Sequence, residues 1–387
     1  MALFSEARNA WCTDEFPVPE GLSARVDFWK KIYSEVTSDE GFLHDTQYVH
    51  LIYKKLSFTD LAPLKKRGGY AKAVTDRVTA ERLKITLLLK EISHALEKRL
   101  PMGAEAHAFW DKILAQLSAE DLSKIKFQNL TLHKRIRFQG GLRDHFLEAL
   151  KTSGKYIGEM EKIFKAEGVP EDLTRIPFVE SSFQNSARSK VGAVGLWQFM
   201  PATGKLYLRI DEVLDERRDP YVATRAAARL LKANYELLNS WPLAVTAYNH
   251  GGLGMKRAVK KVRSKEIAEI IRHYESPTFG FASANFYAEF LAALYVERNS
   301  ESIFGSRYQL PPLKEGIDFK IMKTAKNVPV FLKDFLKNLS AIVGLADREF
   351  HKRLIELNPA LSDSALNNKT HLPKDFPLRL PASEKNK

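Results

Sequence analysis

Apolar positions recur three and four residues apart over most of the chain, which predicts helices. In "RVDFWKKIYSEV", Val26, Trp29, Ile32, Tyr33 and Val36 share one stripe. "ITLLLKEISHALEKRL" and "FWDKILAQL" repeat the pattern, with 101–103 between them, so the first 130 residues read mostly as helices. From 141 to 168, Leu142, Phe146, Leu150, Ile157, Met160 and Phe164 keep helical spacing, broken or bent at Ser153-Gly154. Gly168 reads as a helix C-terminal glycine and Pro170 as the start of the next helix. That helix has Glu171 and Asp172 in its first turn and Glu180 near its far end.

The pattern changes at "SKVGAVGLWQF" (189–199), where glycine predicts short extended pieces and tight turns. "PATGKLYL" restarts a helix. Asp219-Pro220 reads as an N-cap and first helical residue, with Val222, Ala226, Leu230 and Leu231 on the inner face that follows. "PLAVTAYNHGG" predicts a short helix ended by glycines, and "SANFYAEFLAALYVERN" a buried one. After "LPP" at 310–312 a strand-like start, two short helices and a final strand, "FPLRLPA", predict a small unit separable from what precedes it. The last residues read as a frayed tail.

Composition narrows the class. At 387 residues, the chain can hold two or three domains, and 44% hydrophobic with 28% charged residues is ordinary globular content. No apolar run approaches membrane-helix length. The net charge of +13 is spread as +5, +3 and +5 over residues 1–158, 159–300 and 301–387. That argues against a nucleic-acid binder, which gathers its charge, and suits either simple solubility or a large polyanion such as an acidic wall polymer. The single Cys12 excludes an internal disulfide and a thiolate metal cluster. No export or lipid-attachment signal is visible at the start. His44, His50, His94 and His107 are scattered and read as structural or exposed.

Glu180 is the chemical candidate. A helix C-terminus and the apolar neighbours Phe178 and Val179 both disfavour its charged form, and a carboxyl kept protonated near neutral pH can give a proton to a leaving oxygen. Taken alone, its position fits a surface glutamate just past a helix better. Ser181 and Ser182 offer hydroxyls, Gln198 and Asn249 amides, and Trp197 and Tyr248 flat faces for sugar rings. Each also has a structural reading, the two rings as core and Gln198 as a partner for the backbone. Together they favour glycosidic chemistry over acyl transfer, a metal centre or a phosphate cradle. A hydrolase of the two-carboxylate kind needs a second acid. The nearest cluster, "IDEVLDERRD" (210–219), offers Asp219 as an N-cap, and Asp211, Glu212, Asp215 and Glu216 as solvated charges around Arg217 and Arg218.

"VESSF", "GLWQFMP" and "AYNHG" resemble the three motifs of lytic transglycosylases with a soluble-lytic-transglycosylase (SLT), lysozyme-like domain. "GVPEDLTRIPFVESSF", "DERRDPYVATRAAARLLKANY" and "SWPLAVTAYNHG" are similar, more narrowly, to the membrane-bound lytic murein transglycosylase D type. The likeness is strong over about 140 to 300 and weak beyond. It implies a mainly α fold: a helical N-terminal region (1–140), an α+β lysozyme-like transglycosylase domain (141–310), a small α/β LysM-like or accessory module (311–381) and a frayed tail (382–387). It makes Glu180 the catalytic acid and base, Ser181 the serine that orients it, Gln198 and Met200 a substrate-lining pair, and Tyr248 and Asn249 the residues that approach the sugar. Phe286 stands where the family has a tyrosine, with Tyr287 beside it, and His250 replaces the more common alanine. The implied substrate is peptidoglycan glycan strands, cut without water to 1,6-anhydromuramic ends, with no metal, cofactor or nucleic acid. The implied place is the periplasm of a Gram-negative cell, with any membrane anchoring through a removed N-terminal signal. A lysozyme-like hydrolase and a non-catalytic wall-binding scaffold are the competing readings.

Overall fold

The computed structural model describes residues 13–118, 121–122, 135–305, 319–324, 329–336 and 347–381. Cys12, the break at 310–312 and the 382–387 tail lie outside the described residues. The protein is mainly α-helical and divides into two compact units. One is Met1–Leu147 with Ser240–Tyr308, the other Glu148–Asn239 with Gln309–Lys387.

The first unit pairs helix Ser23–Ser34 with helix Phe281–Arg298. The stripe read from sequence is the buried face: Val26, Trp29, Ile32 and Tyr33 are at most 3% exposed. Arg25 Nη1 and Trp29 Nε1 both donate to Asn285 Oδ1, at 2.8 and 3.0 Å, and lock the two helices in register. The mostly helical reading of the first 130 residues missed a small sheet. β1 (Glu40–Asp45), β2 (Ile52–Ser57) and β3 (Ile136–Gly140) form an antiparallel sheet in the order β2-β1-β3. β1 is buried on both faces and its register to β2 slips between Leu43 and His44, so no period of two reaches the sequence. His44 is a core residue, and burial drives its imidazole down to about 4, so it sits there neutral.

In the second unit, helices Ile157–Glu167 and Pro220–Leu238 pack together. Gly168 ends the first in the left-handed conformation at φ 68°. Asp219 caps the second by accepting the amides of Tyr221 and Val222 at 3.0 Å each. The inner face of that helix is turned from the sequence reading. Val222 is 39% exposed and Leu230 half-buried, while Ala223, Ala226, Ala227 and Leu231 are inside. A face of alanines carries a weak hydrophobic signal, and the two larger residues drew the stripe towards themselves.

The same unit holds β4 (Phe319–Lys323) paired antiparallel with β5 (Pro377–Pro381), and helices Leu332–Leu336, Asp347–Leu357 and Asp363–Leu366. Their core of Leu332, Phe350, Leu354, Leu361, Leu372 and Leu378 also takes in Val213. Main-chain bonds continue the connection. Asp215 N donates to Ala360 O at 2.7 Å and Ser362 N to Val213 O at 2.9 Å. The expected separability of the C-terminal segment meets these bonds directly, since a chain cut after 310 would lose all of them.

Candidate active site

The approach to Glu180 is short and tightly turned. A 3-10 segment, Glu171–Arg175, runs into the five-residue helix Ile176–Glu180. Ser181 N and Phe183 N then both donate to Pro177 O, at 3.1 and 3.2 Å. To make that reversal Ser182 and Phe183 take left-handed backbones, φ 49° and 54°. Two successive side-chain-bearing residues there are strained. Phe183 anchors the turn: it is fully buried and meets Phe178 edge to face at 4.6 Å.

Glu180 itself is half-buried, and desolvation pushes its carboxyl up to about 8. The sequence argument gave two causes for such a rise. Desolvation is the one that acts, because a helix of five residues has little dipole to oppose the charge.

Next to it lies the glycine turn. Ser181 Oγ donates to Leu196 O at 2.8 Å and, more weakly, to Pro177 O at 3.3 Å. This ties the serine to the turn through the main chain. Gln198 has φ 46°, and its Nε2 donates to Gly195 O at 2.8 Å and Ala187 O at 3.2 Å. Its amide nitrogen therefore closes the turn, as the structural reading had it. Met200 is 41% exposed. Trp197 is fully buried, stacked on Phe164 at 5.5 Å, and its Nε1 donates to Thr224 Oγ1 at 2.8 Å. It is core and offers no face to a sugar.

Gly195 cannot be anything else. Its φ is 83°, and a Cβ there would lie 2.0 Å from Arg217 O. Arg217 explains the close approach. Its guanidinium holds Asp215 in a two-point pair, both contacts 2.8 Å, and Nη1 donates to Gly192 O at 2.8 Å and Phe199 O at 3.1 Å. The side chains of Arg217 and Asp215 are only 8% and 14% exposed. The reading of Asp215 as a solvated charge is thus corrected: the pair is an internal brace for the glycine turn. Its residues were visible in "DERRDP", but a run of alternating charges reads as surface, and the partners it braces lie elsewhere in the sequence.

Three other acids of the cluster are also engaged, while Glu212 is exposed. Desolvation raises the Asp211 carboxyl, but the Leu214 amide, the Arg209 guanidinium and the Val213 amide outweigh it and hold the group below its ordinary value. Glu216 accepts Arg209 N at 2.7 Å, and Asp219 is the helix cap. Among the described residues no group of three or more His, Cys, Asp or Glu side chains gathers to hold a metal.

Tyr248 and Asn249 belong to the first unit, at the end of helix Trp241–His250. The Tyr248 ring lies parallel to that of Phe286, 10° apart in plane and 6.3 Å between centres. Asn249 is exposed, and its Oδ1 accepts from Ser283 Oγ at 2.8 Å. Tyr287 does not restore the hydroxyl missing at Phe286. It is fully buried and donates to Pro17 O at 2.8 Å. His250 sits edge-on to Phe279 and Tyr274, and desolvation lowers its imidazole.

Comparison with known proteins bears on the class of the chain. Residues 159–271 match the family model of the transglycosylase SLT domain. It is 36% identical over 136 residues to the membrane-bound lytic murein transglycosylase D of Escherichia coli (strain K12), covering 34% of this chain and 29% of that protein. It is 40% identical over 100 residues to the peptidoglycan transglycosylase gp16 of Escherichia phage T7, covering 25% of this chain and 8% of that one. An X-ray structure of an inactive mutant of the lytic transglycosylase Slt from Pseudomonas aeruginosa matches with a TM-score of 0.30 and 22% identity, over 38% of this chain and 24% of that one. The chain thus spans less than a third of each of these proteins. The matched residues include Glu180, the glycine turn, the Asp215–Arg217 brace, Tyr248 and Asn249. Among the described residues no helix is long and apolar enough to cross a membrane.

Proposed function

We propose that this protein is a peptidoglycan lytic transglycosylase of the cell envelope, in which Glu180 acts first as acid and then as base. The observation that carries the reading is the Glu180 carboxyl, raised to about 8 by burial. At neutral pH it is a loaded proton donor. It protonates the glycosidic oxygen between N-acetylmuramic acid and N-acetylglucosamine, and the substrate's N-acetyl group assists at the anomeric carbon. The carboxylate left behind takes the proton of the muramic 6-hydroxyl, which closes the 1,6-anhydro ring. Gln198 and Met200, Tyr248 and Asn249 line the glycan, and Ser181 ties the Glu180 turn to Leu196. Residues 311–381 serve as an accessory module. The SLT match and the likeness to murein transglycosylases support the substrate class.

One further observation favours this over hydrolysis. In the cluster at 210–219, Asp211, Asp215, Glu216 and Asp219 are each bonded to main-chain amides or to arginine, which leaves none of these four as an obvious base for water, and Glu212 is exposed. The substrate's own hydroxyl fills that role. Mass spectrometry of products from purified sacculi tests it. Products should be lighter than hydrolysed muropeptides by one water, and digestion in heavy-oxygen water should leave no label. Labelled reducing ends would establish the hydrolase instead, and no release at all the scaffold.

A further inference from the structure

Loop 210–219 is bonded on two sides. On one side, Arg217 grips the carbonyls of Gly192 and Phe199, the two ends of the turn that carries Gln198. On the other, the loop is bonded to residues 360–363 near the end of the chain. Leu214 bridges Leu361, Asp215 N donates to Ala360 O, Ser362 N to Val213 O, and Ser362 Oγ to Glu212 O. Arg218 Nη1 donates to Leu361 O at 2.9 Å, while its Nη2 pairs with Asp363 at 2.8 Å. The other Asp363 oxygen pairs with Arg188 at 2.9 Å, and Arg188 bridges Val194 inside the turn.

Between these contacts lies an open cavity of about 480 Å³, lined by Arg188, Gly192, Asp215, Arg218, Ser362 and Asp363 among others. The inner side of the turn is packed, with Leu196, Trp197 and Phe199 buried. Its outer side, facing the cavity, is held by directed polar bonds, and removing one of them leaves room to move there.

We infer that Arg217 is a positioning residue for the glycine turn, and that residues 360–363 act on the site through the loop that carries it. The inference rests on the reading of Gln198 and Met200 as substrate-lining. Arg217 touches no substrate. It fixes the distance between Gly192 and Phe199, and so the pose of Gln198 between them. Asp363 fixes Arg188 and Arg218, the outer ends of the same assembly. The C-terminal segment then has a part in cutting soluble glycan, not only in holding the protein to the wall.

The test uses the full chain with Arg217→Lys and Asp363→Asn. Lysine keeps the charge next to Asp215 but cannot serve Asp215 and both carbonyls with a planar fork. Asp363 is 57% exposed, so its variant should fold even if the first does not. Two readouts are taken on the folded protein: amide hydrogen exchange over 192–199, and kcat/KM on soluble glycan strands across pH. Both variants should speed exchange of the turn and lower kcat/KM about tenfold, mainly through KM. The fall of activity as pH rises through about 8 should stay where Glu180 puts it. Asp363→Glu should restore both readouts. Unchanged exchange, or a loss that follows only a lowered melting temperature, overturns the proposal. If wild type itself releases no product, the transglycosylase reading fails, and the exchange experiment still decides whether the turn is held from 217 and 363.

Discussion

Glu180 and Asp215 are carboxyls of the same unit with opposite treatments. The turn at 176–183 withdraws Glu180 from water and supplies no cation, so its proton stays on to about 8. The loop at 210–219 also withdraws Asp215, 14% exposed, yet hands it a guanidinium at two points and the amide of Arg217. Burial alone thus decides neither reactivity nor inertness. What decides is whether the protein satisfies the ion it has buried. A carboxyl left unsatisfied is a reagent; one fully paired is a strut.

The largest effect that should separate the two is on turnover. Glu180→Gln keeps the shape and loses the transferable proton, so activity on purified glycan should fall by roughly two to four orders of magnitude. Turnover within about threefold of wild type at unchanged melting would remove Glu180 from the chemistry. In the wild type, kcat/KM should fall as pH rises through about 8, where the acid form empties.

Stability should show the opposite sign at the two places. Arg217→Ala strands a buried carboxylate and should cost about 3–5 kcal/mol by denaturant titration. Glu180→Gln should stabilise. The folded Glu180 value lies near 8 against an ordinary 4.5, so its contribution is whole below 4.5 and is lost as pH rises towards 8. The gap in unfolding free energy between variant and wild type should therefore be absent near pH 4.5, widen up to about pH 8 and then level, reaching a few kcal/mol. A gap independent of pH would show that the carboxyl is not desolvated.

Asp219→Ala should cost about 1 kcal/mol as a lost helix cap, and its products should stay unlabelled in heavy-oxygen water. Label that appears in wild type and disappears in this variant would make Asp219 a base. The smallest effect concerns helix Gly252–Val262, where Lys256, Arg257, Lys260 and Lys261 are exposed. Neutralising them should weaken sacculus binding at low salt and little at high salt. Binding that does not change with ionic strength would make the face merely solvated.

What the sequence disclosed follows a physical line. Helices with large side chains on one stripe, such as Ser23–Ser34, were legible, as were the Asp219 cap and the glycine turn, whose backbone demands leave glycine or proline in place. The upward shift of the Glu180 carboxyl was legible because the sequence around it is apolar. The doubly buried β1 gave no alternation, and the alanine face of Pro220–Leu238 gave too little contrast. The Asp215–Arg217 brace could not be told from a surface charge run, because what makes it internal is Gly192, Phe199 and residues 360–363. The roles of Trp197 and Tyr287 were open until their donors found Thr224 and Pro17.

The bonds from loop 210–219 to residues 360–363 also set an order of assembly. Arg218 and Leu361 are 143 positions apart, Glu212 and Ser362 150. On a ribosome the loop emerges long before the residues that complete it. Closing so long a stretch of chain is entropically costly and slow compared with forming a helix. The turn that Arg217 grips should accordingly be among the last parts of its unit to reach native protection during refolding, after the helices on which it rests.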